Sequence, residues 1–390
     1  MIKLKEIKQY EHYIIKHRRD FHMHPETGFQ EFRTSKIIEQ ELTKMGFTLT
    51  TGVGVTGVVG VLEGNKNGKT VLLRADIDAL NMQEETDISY KSQNEGIMHS
   101  CGHDTHTAML LGACKYFSDH VDDLNGRLKV VFQSAEEGPM PGGGSFVVKE
   151  GHLDDVDAVF GLHILTSQEA GRIAIKKGPA MAAPDEFKIQ VTGRGTHASA
   201  PHTGKDPVLA SAEIISAIQK IVSRQISPLD SAVISVCTIH GGTAFNVIPD
   251  TVELTGTIRT LNNKVRSHIF KLLEDVVTFT AKANGCEAQL EIIKAYPPLI
   301  NHEKESDFVY DIAQKLIGKS NVEFLAVPSM GGEDFSYYLE KKPGAYFWLG
   351  GRPKNEKTVY YNHNPKFFID ESVLLIGTGM HINIVKEFLK

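Results

Sequence analysis

The chain has 390 residues, of which 41% are hydrophobic, and its formal net charge is −6. This composition excludes a disordered chain, and the length exceeds what one ordinary core fills, so two domains or one domain with an inserted module are expected. The acidic balance argues against a nucleic-acid partner or a polybasic membrane contact, and no run reaches the roughly 18 apolar residues of a membrane helix.

The first residues and the cysteines predict the compartment. The segment from Met1 to Glu6 is too charged for a signal peptide. Four cysteines without a Cys-x-x-Cys pair do not form a disulfide framework in a chain of this length. We therefore expect a cytoplasmic protein whose thiols are reduced.

Two helices and a pair of strands are predicted at the start of the chain. Apolar residues at helical spacing indicate an amphipathic helix from residue 4 that ends by Pro25, and a second helix over residues 34–45. Residues 52–62 are rich in glycine, valine and threonine, which is typical of paired strands.

Three short apolar runs predict strands that are buried on both faces, and a helix over residues 105–117 lies between the first two. The runs are residues 71–73, 128–132 and 158–162. Polar side chains follow each of them, namely Asp76 and Asp78, then Glu136 and Glu137, then His163. Ligands of such sheets bind outside the carboxyl ends of the strands, so these side chains are expected to converge. The predicted fold is α/β, with a central, mostly parallel sheet flanked by helices.

The segment over residues 184–294 has a different pattern. Strands of alternating polarity and two amphipathic helices predict a compact α+β module. Because α/β character returns after this segment, we interpret it as an insertion. Residues 1–183 and 295–390 would then form the two parts of one catalytic domain.

Cys101 and His103 are the first candidates for chemistry. Residues two apart in an extended segment face the same way, so the two side chains could hold one metal ion. Thiolate and imidazole suit zinc, while imidazole with carboxylate also suits manganese, nickel or cobalt. The alternative is a buried structural pair, and His99 and His106 nearby could merely line a pocket.

Glu136 and Glu137 are adjacent and cannot point the same way in regular structure. One could bind a metal ion while the other holds a proton as a general base; the alternative is a solvated loop. Each of His163 and His363 alone is more often structural than a ligand. Together with Cys101, His103 and Glu137 they make five ligand-type residues, enough for two cations that share a water, which is a hydrolase design.

Seven motifs occur in an order that matches a known family: Arg74-Ala75-Asp76-Ile77-Asp78, Cys101-Gly102-His103-Asp104, Glu136-Glu137-Gly138, Gly161-Leu162-His163, Gly195-Thr196-His197-Ala198, Asn246-Val247-Ile248-Pro249 and Gly331-Gly332-Glu333-Asp334. The chain resembles the aminoacylase-type co-catalytic metallopeptidases, peptidase family M20, subfamily D. That branch contains auxin-conjugate hydrolases, hippurate hydrolases and bacterial N-acyl-amino-acid deacetylases.

The resemblance implies the role of each site residue in the catalytic domain. The metal ligands would be Cys101, His103, Glu137, His163 and His363, which would hold two divalent ions per subunit, manganese or zinc, with nickel or cobalt as alternatives. Glu136 would be the general base. Asp78 would orient a ligand histidine, but the resemblance does not indicate which one. Asp76 stands where many wider-family members carry a ligand histidine, and Cys101 would be used instead.

The resemblance also assigns the inserted module as a lid and dimerisation domain, so a homodimer is expected. His197 would reach into the active site of the partner and stabilise the oxyanion. Asn246 and Arg259 would hold the carboxylate of the substrate, and Gly331 and Gly332 belong to the same substrate-binding set. From the residues alone, Arg259 could equally form a surface ion pair.

The function predicted from these residues is hydrolysis of the amide bond of a small N-acyl amino acid, or a similar conjugate, to a carboxylate and a free amino acid. One departure from the branch is Asn81, where relatives usually have proline. The alternatives are a metal-dependent dipeptidase or carboxypeptidase, a catalytically silent module that binds metal or an amide, and another α/β enzyme with structural histidines.

Overall fold

The computed structural model of the chain describes residues 1–354 and 359–390. The chain divides into two compact units. The first comprises Met1–Gly178, Ile300–Val327 and Asp334–Lys390, and the second comprises Pro179–Leu299 with Pro328–Glu333. The second unit therefore begins slightly before the predicted insertion and also takes in a short later segment that the sequence had placed in the catalytic domain.

The α-helices are α1 (Glu11–Met23), α2 (Phe32–Lys44), α3 (His103–Asp119), α4 (Gly143–Lys149), α5 (Pro207–Gln225), α6 (Asn263–Ala283), α7 (Glu303–Ile317), α8 (Ser336–Lys341) and α9 (Leu374–Phe388). The helix predicted from residue 4 starts later than expected, because two short 3₁₀ turns precede α1. In the described ranges, none of the helices combines the length and apolar character that a bilayer crossing requires.

The strands are β1 (Thr48–Val53), β2 (Gly57–Glu63), β3 (Lys66–Asp76), β4 (Asn125–Gln133), β5 (Ala158–Glu169), β6 (Ile173–Ile175), β7 (Gly178–Met181), β8 (Ala183–Thr192), β9 (Thr196–His197), β10 (Ala232–Gly241), β11 (Val247–Ile248), β12 (Thr251–Thr260), β13 (Glu287–Ile293), β14 (Leu299–Asn301), β15 (Val322–Phe324) and β16 (Gly344–Arg352).

An eight-stranded sheet forms the centre of the first unit, in the order β1-β2-β4-β3-β5-β16-β6-β15. Its four middle strands, β4, β3, β5 and β16, run parallel to one another. The apolar run of β3 pairs with those of its neighbours, since Val71 lies opposite Leu128 on one side and Ala158 on the other. The predicted α/β fold with a central, mostly parallel sheet is therefore confirmed.

Helix α3 lies in the core of the first unit, and its N-terminus carries the candidate site. Most of its side chains are buried, as expected for a helix that is apolar on nearly all sides. It packs against α1, α9 and β3. Gly102 precedes it with a φ of +94°, a conformation that favours glycine and that turns the chain from Cys101 into the helix at His103.

The second unit has a four-stranded antiparallel sheet in the order β10-β12-β8-β13, with α5 and α6 packed against it. Ile189 on β8 lies opposite Leu254 and Leu290 on the flanking strands, and the side chains of Ile189 and Leu254 are fully buried in the core of this unit. Asp206 accepts hydrogen bonds from the first backbone amides of α5, and Asn262 does so for α6, so both helices begin at strong N-caps.

Candidate metal centre

The polar groups that follow the parallel strands come together at one edge of the central sheet. Strand β3 ends at Asp76 beside Gln133, the last residue of β4, and the loop after β4 carries Glu136 and Glu137. His163 lies within β5. The start of α3 brings Cys101 and His103 to the same place. The convergence follows from the parallel order of the strands, as the sequence predicted.

Cys101 lies at the centre of the cluster. Its Sγ is 3.2 Å from Nε2 of His163 and 3.3 Å from Nε2 of His363. Nε2 of His363 is in turn 2.9 Å from Oε1 of Glu137. Ligand-type atoms of Cys101, His103 and His163 lie within 4.8 Å of one another, and so do those of Cys101, Glu137 and His363. The structure therefore brings all five predicted ligands together.

The histidine rings are oriented as metal ligands require. Nδ1 of His103 lies 3.0 Å from the carbonyl oxygen of Asp78, and Nδ1 of His163 lies 2.8 Å from that of Ile164. A carbonyl oxygen only accepts, so both Nδ1 atoms carry a proton and the Nε2 atoms are the ones left to bind a cation. Nε2 of His103 is buried without a hydrogen-bond partner, which is costly unless a cation binds it. The donor set of thiol, imidazole and carboxylate fits zinc or manganese.

Burial and charge also favour a cation here. Burial, together with the negative charges of Glu137 and Glu136, raises the pKa of the Cys101 thiol well above its ordinary value. Burial lowers the pKa of His103, but the charge of Asp76 and the hydrogen bond to Asp78 outweigh it and raise this pKa to about 10. A thiolate at Cys101 therefore needs the compensating charge of a cation.

Both adjacent glutamates reach the cluster, since ligand-type atoms of His103, Glu136 and Glu137 lie within 4.8 Å of one another. Glu137 faces His363, and its backbone amide donates to Oδ2 of Asp78 at 2.9 Å. Oε2 of Glu136 lies 4.0 Å from Nε2 of His103. Glu136 is only 7% exposed, which excludes the alternative of a solvated loop.

His106 is close to the cluster, but both of its ring nitrogens are used. Its Nδ1 lies 2.6 Å from Oδ1 of Asp76, and its Nε2 accepts from the backbone amide of Ile164 at 2.9 Å. His106 therefore supports the site and does not supply a lone pair to it. His99 is also buried, and burial lowers its pKa to about 3.

Several buried polar residues around the site had no assigned role in the sequence. Arg74 is 1% exposed and contacts both Asp76 and Asp334, the latter at 2.7 Å. Gln133 also donates to Asp334. Glu31 is fully buried, and its Oε1 accepts from the amide of Ala135 at 2.8 Å. Asp334 belonged to a matched motif, but no local signal in the sequence marks Glu31.

The predicted site residues of the inserted module lie in the second unit. His197 on β9 pairs with Val247 on β11, and the amide of Ala198 donates to the carbonyl of Asn246 at 3.0 Å, so His197 and Asn246 lie near one another. Both are exposed. Nδ1 of His197 accepts from the amide of Ser199, which leaves its Nε2 available at the surface.

Arg259 and the two glycines are elsewhere in the second unit. Arg259 is half-buried on β12, and its Nε donates to Oγ1 of Thr257 at 3.2 Å. The carbonyl of Gly331 accepts from the amide of Ala182 at 2.9 Å. A Cβ atom at Gly332 would lie 2.5 Å from Cγ of Pro184, so a close approach of the chain explains glycine at this position.

The model of the family described as peptidase family M20/M25/M40 matches residues 72–387. The chain belongs to this family. The resemblance seen in the sequence motifs is thereby confirmed, and the chain is a hydrolase that acts on carbon–nitrogen amide bonds, from the amidohydrolase branch of family M20.

Curated relatives cover nearly the whole chain. Thermostable carboxypeptidase 2 of Saccharolobus solfataricus is 42% identical over 98% of this chain and 97% of its own. N-acetyl-L-cysteine deacetylase of Bacillus subtilis is 40% identical over 95% of this chain and 87% of its own. IAA-amino acid hydrolase ILR1-like 4 of Arabidopsis thaliana is 39% identical over 95% of this chain and 84% of its own.

Two solved structures share the fold of this chain. A protein from methicillin-resistant Staphylococcus aureus that is described as a putative aminohydrolase has a TM-score of 0.94 and 34% identity, and the match covers 99% of both chains. A Bacillus subtilis protein described as a dinuclear metal-binding peptidase from the M20 family has a TM-score of 0.85 and 32% identity, over 98% of this chain and 99% of that one.

Proposed function

We propose that this M20-family chain is a metal-dependent amidohydrolase that cleaves the amide bond of an N-acyl amino acid, or a similar conjugate. The products would be a carboxylate and a free amino acid. The observation that carries the proposal is the orientation of His103 and His163, whose Nδ1 atoms are both held by carbonyl oxygens so that both Nε2 atoms face Cys101 and the glutamates.

The five clustered residues would hold two divalent cations, manganese or zinc, with nickel or cobalt as alternatives. These residues are Cys101, His103, Glu137, His163 and His363. Cys101 belongs to both of the three-residue sets that consist of these five ligands alone, so its side chain lies at the centre of the proposed site. A related M20 structure is itself described as dinuclear, which supports the proposed number of ions.

The bound cations would acidify a water molecule and polarise the carbonyl of the scissile amide. Glu136 would accept a proton from the attacking water and later donate it to the leaving amine, because its buried carboxylate lies beside the cluster and is distinct from Glu137. Asp78 holds Nδ1 of His103 and the amide of Glu137, so one carboxylate orients both of these ligands.

The second unit would supply the substrate contacts. His197 would stabilise the oxyanion from the partner subunit of a homodimer, while Asn246 and Arg259 would bind the carboxylate of the substrate, next to Gly331 and Gly332. Support comes from the exposed ring of His197 and the neighbouring Asn246. Mixing His197→Ala chains with Glu136→Gln chains should restore part of the activity, and no recovery would contradict action across subunits.

The four free thiols fit a cytoplasmic protein.

The test of the proposed function compares two neighbouring substitutions. Glu136→Gln should keep two ions per chain and lower turnover of N-acyl amino acids at least about 10²-fold, the low end for loss of a general base. Glu137→Gln should lose metal as well as activity, because it removes a ligand. Near-normal turnover by Glu136→Gln with metal bound would refute the mechanism.

A second candidate is a carboxypeptidase or dipeptidase, and the 42% identity to a thermostable carboxypeptidase favours it. The same cluster serves both reactions, and only the acyl side of the substrate differs. A panel of acetyl-, benzoyl- and aminoacyl-amino acids separates the two. Faster hydrolysis of the aminoacyl compounds would support the peptidase.

A further inference from the structure

Glu136 lies between two backbone amides that are each held by a buried carboxylate. The amide of Ala135 donates to Oε1 of Glu31 at 2.8 Å, and the amide of Glu137 donates to Oδ2 of Asp78 at 2.9 Å. Asp78 matches a family motif. Glu31 lies 104 residues before Ala135 in the chain and has no role in the function proposed above.

The backbone at Ala135 needs to be held. Its φ is +49°, in the left-handed region that residues with a Cβ rarely adopt. This turn takes the chain out of β4 and directs Glu136 towards the cluster. The carbonyl of Ala135 accepts from the amide of Gly143 at 3.0 Å, so Glu31 supplies the hydrogen bond of the other backbone polar group of this residue.

Glu31 is not needed for the ordinary task of an acid at its position. It is the N-cap residue of α2, but its side chain makes no cap hydrogen bond. The nearby Glu26 accepts from the amides of Arg33 and Thr34 at the start of this helix. The carboxylate of Glu31 instead turns inwards, where Thr56 donates to its second oxygen.

We propose that Glu31 is a positioning residue of the hydrolytic reaction: its carboxylate holds the strained backbone of Ala135 and thereby fixes the direction of Glu136. The inference rests on the proposed function, in which Glu136 is the general base. A misplacement of about 1 Å at a reacting group can cost about 10²-fold in rate, so the anchor of the preceding residue affects turnover.

Reach, and not charge, is the property that matters at Glu31. Burial and the negative charge of Asp78 raise the pKa of Glu31 to about 7, so the fold tolerates a neutral group here. Glutamine has the same length and keeps an oxygen for the amide of Ala135, and the hydroxyl of Thr56 can turn to accept from its NH₂ group. Aspartate keeps the charge, but its carboxylate is one methylene shorter and cannot hold that amide in the same place.

The experiment therefore compares Glu31→Gln with Glu31→Asp, as metal-loaded full-length proteins. Glu31→Gln should keep kcat within about threefold of the parent. Glu31→Asp should lower kcat at least about tenfold, with KM and metal content close to those of the parent. Glu26→Met is the matched control, because it damages the start of α2 without touching Ala135; its kcat should stay near that of the parent even if its Tm falls.

Four results would overturn the inference. The first is full activity of Glu31→Asp, and the second is an active Glu31→Asp together with an inactive Glu31→Gln. The third is a loss of kcat in Glu26→Met equal to that in Glu31→Asp. The fourth is a Glu31→Asp protein that no longer folds, because this result would assign Glu31 to the fold alone. The proposed function is tested separately by Glu136→Gln. If that variant is inactive while both Glu31 variants are fully active, only the role of Glu31 fails.

Discussion

Oδ1 of Asp78 lies 3.1 Å from Nδ1 of His103, and both residues are buried. This contact identifies the histidine that Asp78 serves, which the sequence left open. It also fixes the ring so that Nε2 faces the cluster around Cys101. A carboxylate that orients a metal-binding histidine in this way strengthens metal binding without touching the ion.

The first prediction concerns that contact. Asp78→Asn offers one oxygen and one amide group where two hydrogen-bond acceptors are needed, so either Nδ1 of His103 keeps only the backbone carbonyl of Asp78 or the amide of Glu137 loses its partner. Metal affinity should fall about 10–100-fold, measured by competition with a chelator. Asp157→Asn is the control, since Asp157 also accepts from a backbone amide, that of Thr70, but at the start of β5. Equal affinity losses in both variants would contradict the role of Asp78.

The second prediction uses the central position of Cys101. Cys101→Ser should reduce the bound metal below two ions per chain and should weaken zinc more than manganese, because the thiolate is the soft ligand of the set. The loss of affinity should exceed the roughly 100-fold upper value for a supporting residue. Cys114→Ala removes another buried thiol, in α3, and should leave the metal content unchanged. Mass spectrometry of the dialysed proteins measures the number of metal ions bound per chain in both variants.

The third prediction concerns the buried ion pair below the site. Nε of Arg18 lies 3.0 Å from Oδ2 of Asp104, and neither side chain is accessible to solvent. Arg18→Met leaves the buried Asp104 with only His22 as its partner and should lower the free energy of unfolding by up to about 3–5 kcal/mol. The double variant Arg18→Met/Asp104→Leu should recover part of this loss in urea unfolding. A double variant that is less stable than Arg18→Met would refute the pairing.

The fourth prediction is a pH dependence of stability. Burial lowers the pKa of His381 in α9 from 6.5 to about 3. Between these values the unfolded chain binds more protons at this residue than the folded one, so His381 destabilises the fold as the pH falls below 6.5, by up to about 1.4 kcal/mol per pH unit.

The His381→Met variant removes this effect. The Tm of this variant minus that of the parent should increase steadily as the pH is lowered from 7 to 5. His12 is exposed, so His12→Gln serves as the control, and its Tm difference from the parent should stay constant over the same range. A pH-independent difference for His381→Met would contradict the prediction.

Much of the fold could be predicted because it depends on local patterns. The apolar run over residues 71–73 is fully buried in β3, as its lack of alternation indicated. Helix α5 begins at Pro207, a residue type that is favoured at the first helical position, so this boundary depends on local sequence. The five candidate ligands could be selected because their types and order match a family, and the parallel strand order then brings them together.

The supporting residues could not be predicted, because their partners are distant in the chain. Arg74 and Asp334 are 260 residues apart, and Glu31 and Ala135 are 104 residues apart. Nothing in the local sequence distinguishes a buried glutamate that anchors a backbone amide from a surface glutamate. The left-handed conformation of Ala135 is likewise a product of tertiary packing, since the sequence there has no glycine to indicate it.

The central claim is that Cys101, His103, Glu137, His163 and His363 hold two cations. Anomalous X-ray diffraction from crystals loaded with zinc, collected on both sides of the absorption edge, tests it most directly. The account predicts two strong peaks, with at least one about 2.3 Å from Sγ of Cys101 and others of these ligands at about 2.0–2.2 Å. The absence of peaks at this cluster in a fully loaded, active protein would contradict it.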